Sequence, residues 1–326
     1  MNLETTYLGM NLKNPLVPSA SPLSRDLDTA RRLEDAGAAA LVMYSLFEEE
    51  VIEEEERLTG LMEFQDLGHG EASSYLPLHP DYKTGLDEYL EQLQALKSAL
   101  EIPVIASLNG ATEGGWVEHG RELEEAGADA LELNVFFLPG VEESCETVER
   151  RYLGILQQLK EQVRIPVAMK LSPYFTSLGH LVRRLEAAGA DGVVLFNRFY
   201  QPDLDLETLE VKPQLHLSHP YEALLRMHWI GRLYCQVDLS LAATGGVHTA
   251  EQALKLLLAG ASVTHMCSAL LEGGPEVLSR TLEEMARWME EKEYESVRQL
   301  IGSSCREHAV DPEAWDRVNY IRTLHG

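Results

Sequence analysis

One lysine stands where a charge is hardest to keep. Lys170 lies in Ile165-Pro166-Val167-Ala168-Met169-Lys170-Leu171-Ser172-Pro173, an apolar run opened by Pro and closed by Ser-Pro. Such a run reads as a buried parallel strand. An ammonium inside it is costly unless an anion meets it, so Lys170 is read as facing a ligand. A solvated lysine at a strand end is the plainer alternative. Polar groups recur at the ends of similar runs: Ser45, Ser107 with Asn109, Asn134, and Asn197. Each Asn alone is equally well explained as a hydrogen-bonded bridge between loops. Together, amide donors and acceptors beside one cation suit a flat heterocycle with an anionic tail.

A place for the anion lies further along. Thr244-Gly245-Gly246-Val247 closes one apolar run just before a helix at Thr249, and Met266-Cys267-Ser268-Ala269-Leu270 closes the next. Gly-Gly lets backbone N–H groups approach an anion, and the Thr244 and Ser268 hydroxyls add donors. Gly-Gly alone fits a tight strand-to-helix turn equally well; Ser268 at the neighbouring strand end favours phosphate.

The elements that must position these residues are set by a repeat. Ala36-Gly37-Ala38, Ala126-Gly127-Ala128, Ala188-Gly189-Ala190 and Ala259-Gly260-Ala261 each follow an amphipathic stretch and precede an apolar run. Gly ends the helix in a left-handed cap and the small neighbours turn the chain tightly into a strand. Ile102-Pro103-Val104 and Ile165-Pro166-Val167 mark two further strand starts. Strands are expected at Ala39–Tyr44, Val104–Leu108, Ala130–Val135, Val167–Leu171, Val193–Asn197, Leu239–Ala243 and Val263–Cys267, with a weaker one near Ser73–Leu76. Eight strand–helix units fit a (β/α)8 TIM barrel, whose chemistry collects at the C-terminal strand ends and whose phosphates bind after the seventh and eighth strands. An open doubly wound sheet is disfavoured, since no GxGxxG follows the first strand. Residues 3–12 read as an N-terminal hairpin closing one end. Helices are expected at Pro275–Glu290 and Tyr294–Ile301, with a C-terminal helical extension over about residues 311–324. No Pro-, Gly- or Ser-rich linker divides the chain, so residues 1–326 are expected to form a single domain.

Composition excludes several classes. The net charge of −26 lacks the basic face that a nucleic acid or an anionic membrane requires. The runs Glu48-Glu49-Glu50 and Glu53-Glu54-Glu55-Glu56 read as solvated faces rather than a metal site. No apolar run approaches the roughly 20 residues of a membrane span, and Met1-Asn2-Leu3-Glu4-Thr5 has no leader pattern. Cys145, Cys235, Cys267 and Cys305 show no paired spacing, which argues for a reducing cytoplasm and against a disulfide frame or cysteine-held metal.

The same residues resemble the dihydroorotate dehydrogenase family, FMN-dependent barrels that include the pyrimidine-reducing domain of dihydropyrimidine dehydrogenase. The resemblance runs through Leu8-Gly9-Met10-Asn11-Leu12-Lys13-Asn14-Pro15, Ser19-Ala20-Ser21, Glu132-Leu133-Asn134, Val167 to Tyr174, Asn197, Ala243 to Val247, and Cys267 to Leu270 with Gly274-Pro275. Singly these motifs are weak; their order and spacing are specific. The resemblance implies FMN as cofactor and a place in pyrimidine metabolism. Ser19, Ala20 and Ser21 would line the flavin by their backbone. Lys170 would contact its N1–C2 edge, and Gly245, Gly246, Cys267 and Ser268 its phosphate. Asn134 and Asn197 would meet flavin and substrate.

The chain also departs from that pattern. Where the family has Asn-x-Ser-Cys-Pro-Asn, with Cys or Ser as general base, this chain has Asn134-Val135-Phe136-Phe137-Leu138-Pro139. Phe137 takes the base position and cannot accept a proton. Pro139 replaces a substrate-binding Asn, and Tyr44 stands where the family has a Lys at the end of the first strand. Ser74-Tyr75-Leu76-Pro77-Leu78 replaces another substrate stretch, and Ser218-His219 replaces a Gly pair near the phosphate. Cys145 is a candidate displaced base, although neighbouring Glu142, Glu143 and Glu146 disfavour a thiolate.

The cofactor half of the pattern is kept and the orotate half is lost. The leading expectation is an FMN-dependent oxidoreductase acting on a small molecule other than dihydroorotate and passing electrons to an unidentified acceptor. A homodimer is compatible with this reading. The alternatives are a catalytically inactive flavin- or phosphate-binding accessory protein and a Schiff-base lyase using Lys170.

Overall fold

The computed structural model describes residues 1–54, 57, 83–110, 115–198, 201–316 and 318–325. Its centre is a ring of eight parallel strands: Leu16–Pro18 (β3), Leu41–Phe47 (β4), Val104–Gly110 (β5), Ala130–Val135 (β6), Val167–Leu171 (β7), Gly192–Leu195 (β8), Ser240–Thr244 (β11) and Val263–Met266 (β12). They pair in the order β3-β12-β11-β8-β7-β6-β5-β4, and the Ala39 N–H donates to the Leu16 carbonyl (3.0 Å) across the remaining seam. Helices Leu27–Asp35 (α1), Gly85–Ala99 (α2), Gly115–Glu125 (α3), Cys145–Gln162 (α4), Leu178–Ala187 (α5), Ala223–Leu233 (α6) and Ala250–Ala259 (α7) alternate with the strands. The architecture is the expected TIM barrel. A small hairpin, Asp203–Leu204 (β9) with Val211–Lys212 (β10), is inserted between β8 and α6.

The expected strands are found with shifts of at most a few residues, apart from the weakest. Ser73–Leu76 lies outside the described residues. The first barrel strand is instead Leu16-Val17-Pro18, which pairs with β12. Three residues ending in Pro carry too short a pattern to read as a strand.

The repeat works as its chemistry requires. Gly37, Gly127, Gly189 and Gly260 have φ of 109°, 101°, 99° and 124°, each reversing the chain between helix and strand. A glutamate near the end of three helices adds a second fastening. Glu34 accepts the N–H groups of Glu101 and Ile102, Glu124 those of Arg164 and Ile165, and Glu186 those of Asp238 and Leu239. Each carboxylate thus holds the start of a strand two units along the barrel.

Thr5–Tyr7 (β1) and Met10–Leu12 (β2) form the N-terminal hairpin. Tyr7, Leu8 and Leu12 are buried with Val17, Val42, Ile105, Ala130, Ala168, Val194, Ala242 and Val263 in an inner core distinct from the larger one between barrel and helices. The alanines make room for the hairpin's side chains, which plug the barrel floor. One step above this layer along each strand, the inward positions turn polar.

After β12 come Ser268–Gly273 (α8), Glu276–Glu291 (α9) and Val297–Leu300 (α10). The C-terminal extension comprises a single turn at Pro312–Trp315 and the helix Val318–His325 (α11). Among the described residues, no helix is long and apolar enough to cross a membrane.

Candidate active site at the barrel mouth

Strand alternation carries the inward phase from Ala130 to Glu132 and Asn134, and from Ala168 to Lys170. In the register, Asn134 is opposite Lys170 and Asn109 opposite Asn134. Lys170 is 7% exposed and its ammonium donates to Glu132 Oε1 at 2.9 Å. The anion that a buried lysine demands is therefore a carboxylate on the neighbouring strand. Glu132 Oε2 lies 3.6 Å from Nδ1 of buried His265 on β12, beyond hydrogen-bond reach. Burial pushes the His265 pKa down to about 4, against a pull upward from Glu132; Lys170 lowers it further. His265 is therefore neutral at pH 7, its ring edge-on to Tyr7 of the floor at 5.9 Å. Lys170, Glu132 and His265 form a column from mouth to plug.

Asn134 supplies the most informative single atom. It is buried and its Oδ1 has no hydrogen-bond partner among the described residues. An orphaned buried carbonyl costs about 1–3 kcal/mol, so a ligand N–H aimed at it would recover stability. Ser45 and Ser107 face each other on adjacent strands, Oγ to Oγ, at 2.9 Å. Half-buried Asn109 sits one step above Ser107. Ser19 and Ser21 are buried at the end of β3, where the Ser19 N–H donates to the Met266 carbonyl (2.8 Å). Ala20 packs against the inner core. Asn197 is half-buried after β8; its N–H donates to the Leu171 carbonyl (2.7 Å) and its Oδ1 accepts from the Arg198 N–H (3.0 Å). Cys267 ends β12. Burial pushes its thiol pKa up, while Lys170 and Arg198 pull it partly back.

After β11, Gly245 and Gly246 have φ of 92° and 80°. Their role differs in part from the expectation. A Cβ on Gly246 would lie 2.4 Å from the Ala223 backbone N, and one on Gly245 2.8 Å from the Arg226 guanidinium. The glycines therefore admit the start of α6 as well as any anion. Arg226 is buried and donates from Nε to the Thr244 carbonyl (2.8 Å). The Ser218 N–H donates to Ser268 Oγ (2.9 Å), and the Ser218 hydroxyl meets both Ser268 Oγ (2.9 Å) and His248 Nε2 (3.2 Å). The loop before α6 thus closes on the Ser268 hydroxyl.

Three candidates are not brought into this cluster. A register shift between Val42 and Ser45 turns Tyr44 outward. Its ring packs edge-on to Tyr89 of α2 (4.8 Å) under the Arg25 guanidinium (4.0 Å). It stands on the second barrel strand, not the first. The Tyr89 hydroxyl in turn serves the bulged ladder, accepting from the Ser107 N–H (2.9 Å) and donating to the Ser107 carbonyl (3.3 Å). Phe137 packs beside Tyr152 of α4 (5.9 Å) beneath Arg151 (4.1 Å). Cys145 is exposed in the first turn of α4, after the cap Ser144. Residues 74–78 lie outside the described residues.

Glu132, His265 and Arg226 were not singled out by sequence reasoning. The signal for the first two was their phase: a charged or ionisable residue on the same face as inward alanine or valine must point into the barrel.

The family model described as Dihydroorotate dehydrogenase matches residues 82–289. The chain belongs to that family. It is 25% identical to the catalytic subunit of dihydroorotate dehydrogenase B (NAD(+)) from Thermoplasma acidophilum, over 94% of this chain and 99% of that protein. It is 27% identical to the corresponding subunit from Shouchella clausii over 68% and 75%. Dihydroorotate dehydrogenase A (fumarate) from Lactobacillus helveticus is 24% identical over 93% and 98%. The family model covers the chain from just before α2 through β12 and into α9.

Proposed function

We propose that this chain is an FMN-dependent oxidoreductase acting on CH–CH groups of a small molecule other than dihydroorotate. The observation that carries this reading is Asn134 Oδ1, buried beside Lys170 at the barrel mouth with no partner among the described residues. An orphaned acceptor next to an ammonium matches an imide-like ring edge, which offers N–H to one and carbonyl oxygen to the other. Lys170, Asn134 and Asn109 would hold that edge. Gly245, Gly246, Cys267 and Ser268 would hold the phosphate, with Ser19, Ala20 and Ser21 along the ring. FMN bound there supplies the redox chemistry, while the protein orients the reactants and sets the local charge.

Against dihydroorotate stands Phe137. A positioned base is worth about 10²–10⁴-fold in rate, and this phenyl ring, in the loop after β6, packs beside Tyr152 of α4. A Schiff-base role for Lys170 is less well supported, because its ammonium is engaged by Glu132 and would have to give up that pairing.

The test is direct. Purified protein should be yellow, release FMN on denaturation and remain oxidised when mixed anaerobically with dihydroorotate. Rapid bleaching of the flavin would refute the substrate assignment. A colourless protein that borohydride traps covalently through Lys170 would replace the whole reading with a lyase.

A further inference from the structure

Cys235 and Cys305 are 70 positions apart in the chain, yet their sulfurs lie 4.0 Å from each other. His308 completes the group: both thiol sulfurs and one nitrogen of its ring lie within 4.8 Å of one another. The cluster sits far from the barrel mouth, where the chain leaves α6 and heads for the N-terminal end of β11. Cys305 is fully buried, whereas Cys235 and His308 are exposed. We propose that these three residues form a binding site for one thiophilic divalent cation of the zinc type, clamping the end of α6 to the segment that follows α10.

The geometry favours an ion over an accidental contact. Two thiolates bound tetrahedrally at about 2.3 Å from zinc stand about 3.8 Å apart, close to the spacing observed. The His308 Nδ1 lies 2.9 Å from the Gly302 carbonyl oxygen. In the neutral ring that nitrogen carries the proton and donates, which leaves Nε2 its lone pair. Metal-bound imidazoles are oriented by such a carbonyl contact. Cys305 and His308 share one turn, since the His308 and Ala309 N–H groups donate to the Cys305 carbonyl.

The supporting backbone is fastened on both sides. Gly302 N–H donates to the Leu257 carbonyl, Ser304 N–H to that of Leu258 and Arg306 N–H to that of Gly231, so the Cys305 side of the site is tied to α6 and α7. The Gln236 amide donates to the Glu307 carboxylate, joining the neighbours of Cys235 and His308. Cys235 itself has φ of 68°. A left-handed residue other than Gly costs roughly 1–2 kcal/mol, a conformation kept here where the chain turns towards Cys305. Soft sulfur donors with one imidazole select zinc or a similar ion over magnesium or calcium. The exposure of two ligands leaves a fourth position for water.

Cobalt reports on such a site by thiolate-to-metal charge-transfer absorption. Reduced full-length protein should bind one Co²⁺ per chain with that absorption, and one equivalent of Zn²⁺ should displace it. Cys235→Ser and His308→Ala, both at exposed positions, should each weaken cobalt binding at least about tenfold, while Cys145→Ser should leave it unchanged. Circular dichroism identifies folded variants, and the two exposed positions keep the test valid if Cys305→Ser unfolds. The proposal is overturned if no charge-transfer band appears in reduced protein, or if Cys235→Ser binds cobalt as tightly as the parent. A Cys235–Cys305 disulfide that forms in air, in a protein taking up no cobalt when reduced, would assign the pair to redox chemistry instead.

Discussion

Lys170→Met should unsettle the barrel through the partner it leaves behind. The substitution keeps most of the stem's packing volume, so the chief effect is electrostatic. Glu132 is 1% exposed and its Oε1 is 2.9 Å from the lost ammonium. At an effective dielectric of about 20, that contact is worth about 6 kcal/mol before desolvation. Breaking a buried pair from one side typically costs about 3–5 kcal/mol. Protonation sets a ceiling on the loss. Neutralising a carboxyl with a solution value near 4.3 costs about 3.7 kcal/mol at pH 7 and about 1 kcal/mol at pH 5. The stability deficit relative to the parent should therefore be about 3–4 kcal/mol at pH 7 and shrink towards about 1 kcal/mol at pH 5. The sign follows from proton counting: above about pH 4.3 the folded variant binds a proton that its unfolded chain does not, so stability falls as pH rises. Loss of Lys170 also removes a charge that lowers the His265 pKa, which acts in the same direction. Urea denaturation of flavin-free parent and variant at the two pH values measures the difference without ligand linkage. Adding Glu132→Gln should recover most of the loss. An equal deficit at both pH values, or a double variant no better than the single one, would show that the Lys170–Glu132 pair is not what holds the column.

Three further outcomes follow from neighbouring contacts. His265 is neutral in the folded state with a pKa near 4, against an ordinary 6.5, so the unfolded chain binds its proton first. Stability present above pH 6.5 should be lost as pH falls towards 4, and His265→Leu should flatten that part of the curve; an unchanged slope in thermal unfolding scans would place the acid sensitivity elsewhere. Gly246→Val should abolish FMN retention and lower stability, because its Cβ meets the Ala223 backbone N at 2.4 Å; a fully flavinylated, equally stable variant would show the Gly-Gly turn is not a constraint. Tyr89→Phe should cost about 1–3 kcal/mol by leaving Ser107 N–H and carbonyl unserved at the bulge, read from urea midpoints, and a neutral result would mean the ladder closes without it.

The barrel was legible because its punctuation is chemical. Apolar runs gave the strands from Val104 onward, and Ala-Gly-Ala marked where positive φ must occur. What failed to show was anything depending on register or on phase across a bulge. Tyr44 reads as inward by strict alternation from Val42, yet the shift before Ser45 sends it to Tyr89 and hands the inward place to Ser45. A two-residue period predicts faces only while the ladder is regular. Lys170 demanded an anion, but the identity of Glu132 depended on which strands adjoin and by how much they are staggered. Cys235 and Cys305 carry no spacing signal, because the C-terminal segment folding back on α6 and α7 brings them together.

The layering of the barrel interior ties these points into one physical arrangement. Alanines at the floor admit Tyr7, Leu8 and Leu12, which seal the lower end from water. Above that dry plug, Glu132 would be costly alone, and Lys170 above it equally so; each makes the other tolerable, while neutral His265 fills the remaining side. The pair presents a fixed ammonium at the foot of a polar mouth where Asn134 Oδ1 has no partner among the described residues. A site built this way holds its charge in place before any ligand arrives, which is the condition under which a charge acts most strongly on chemistry beside it. Two positions expected from the sequence to depart from the family pattern fall outside the column: Phe137 packs against α4, and Tyr44 packs against α2. Changes at these two shoulders would therefore leave the charged centre of the barrel as it is.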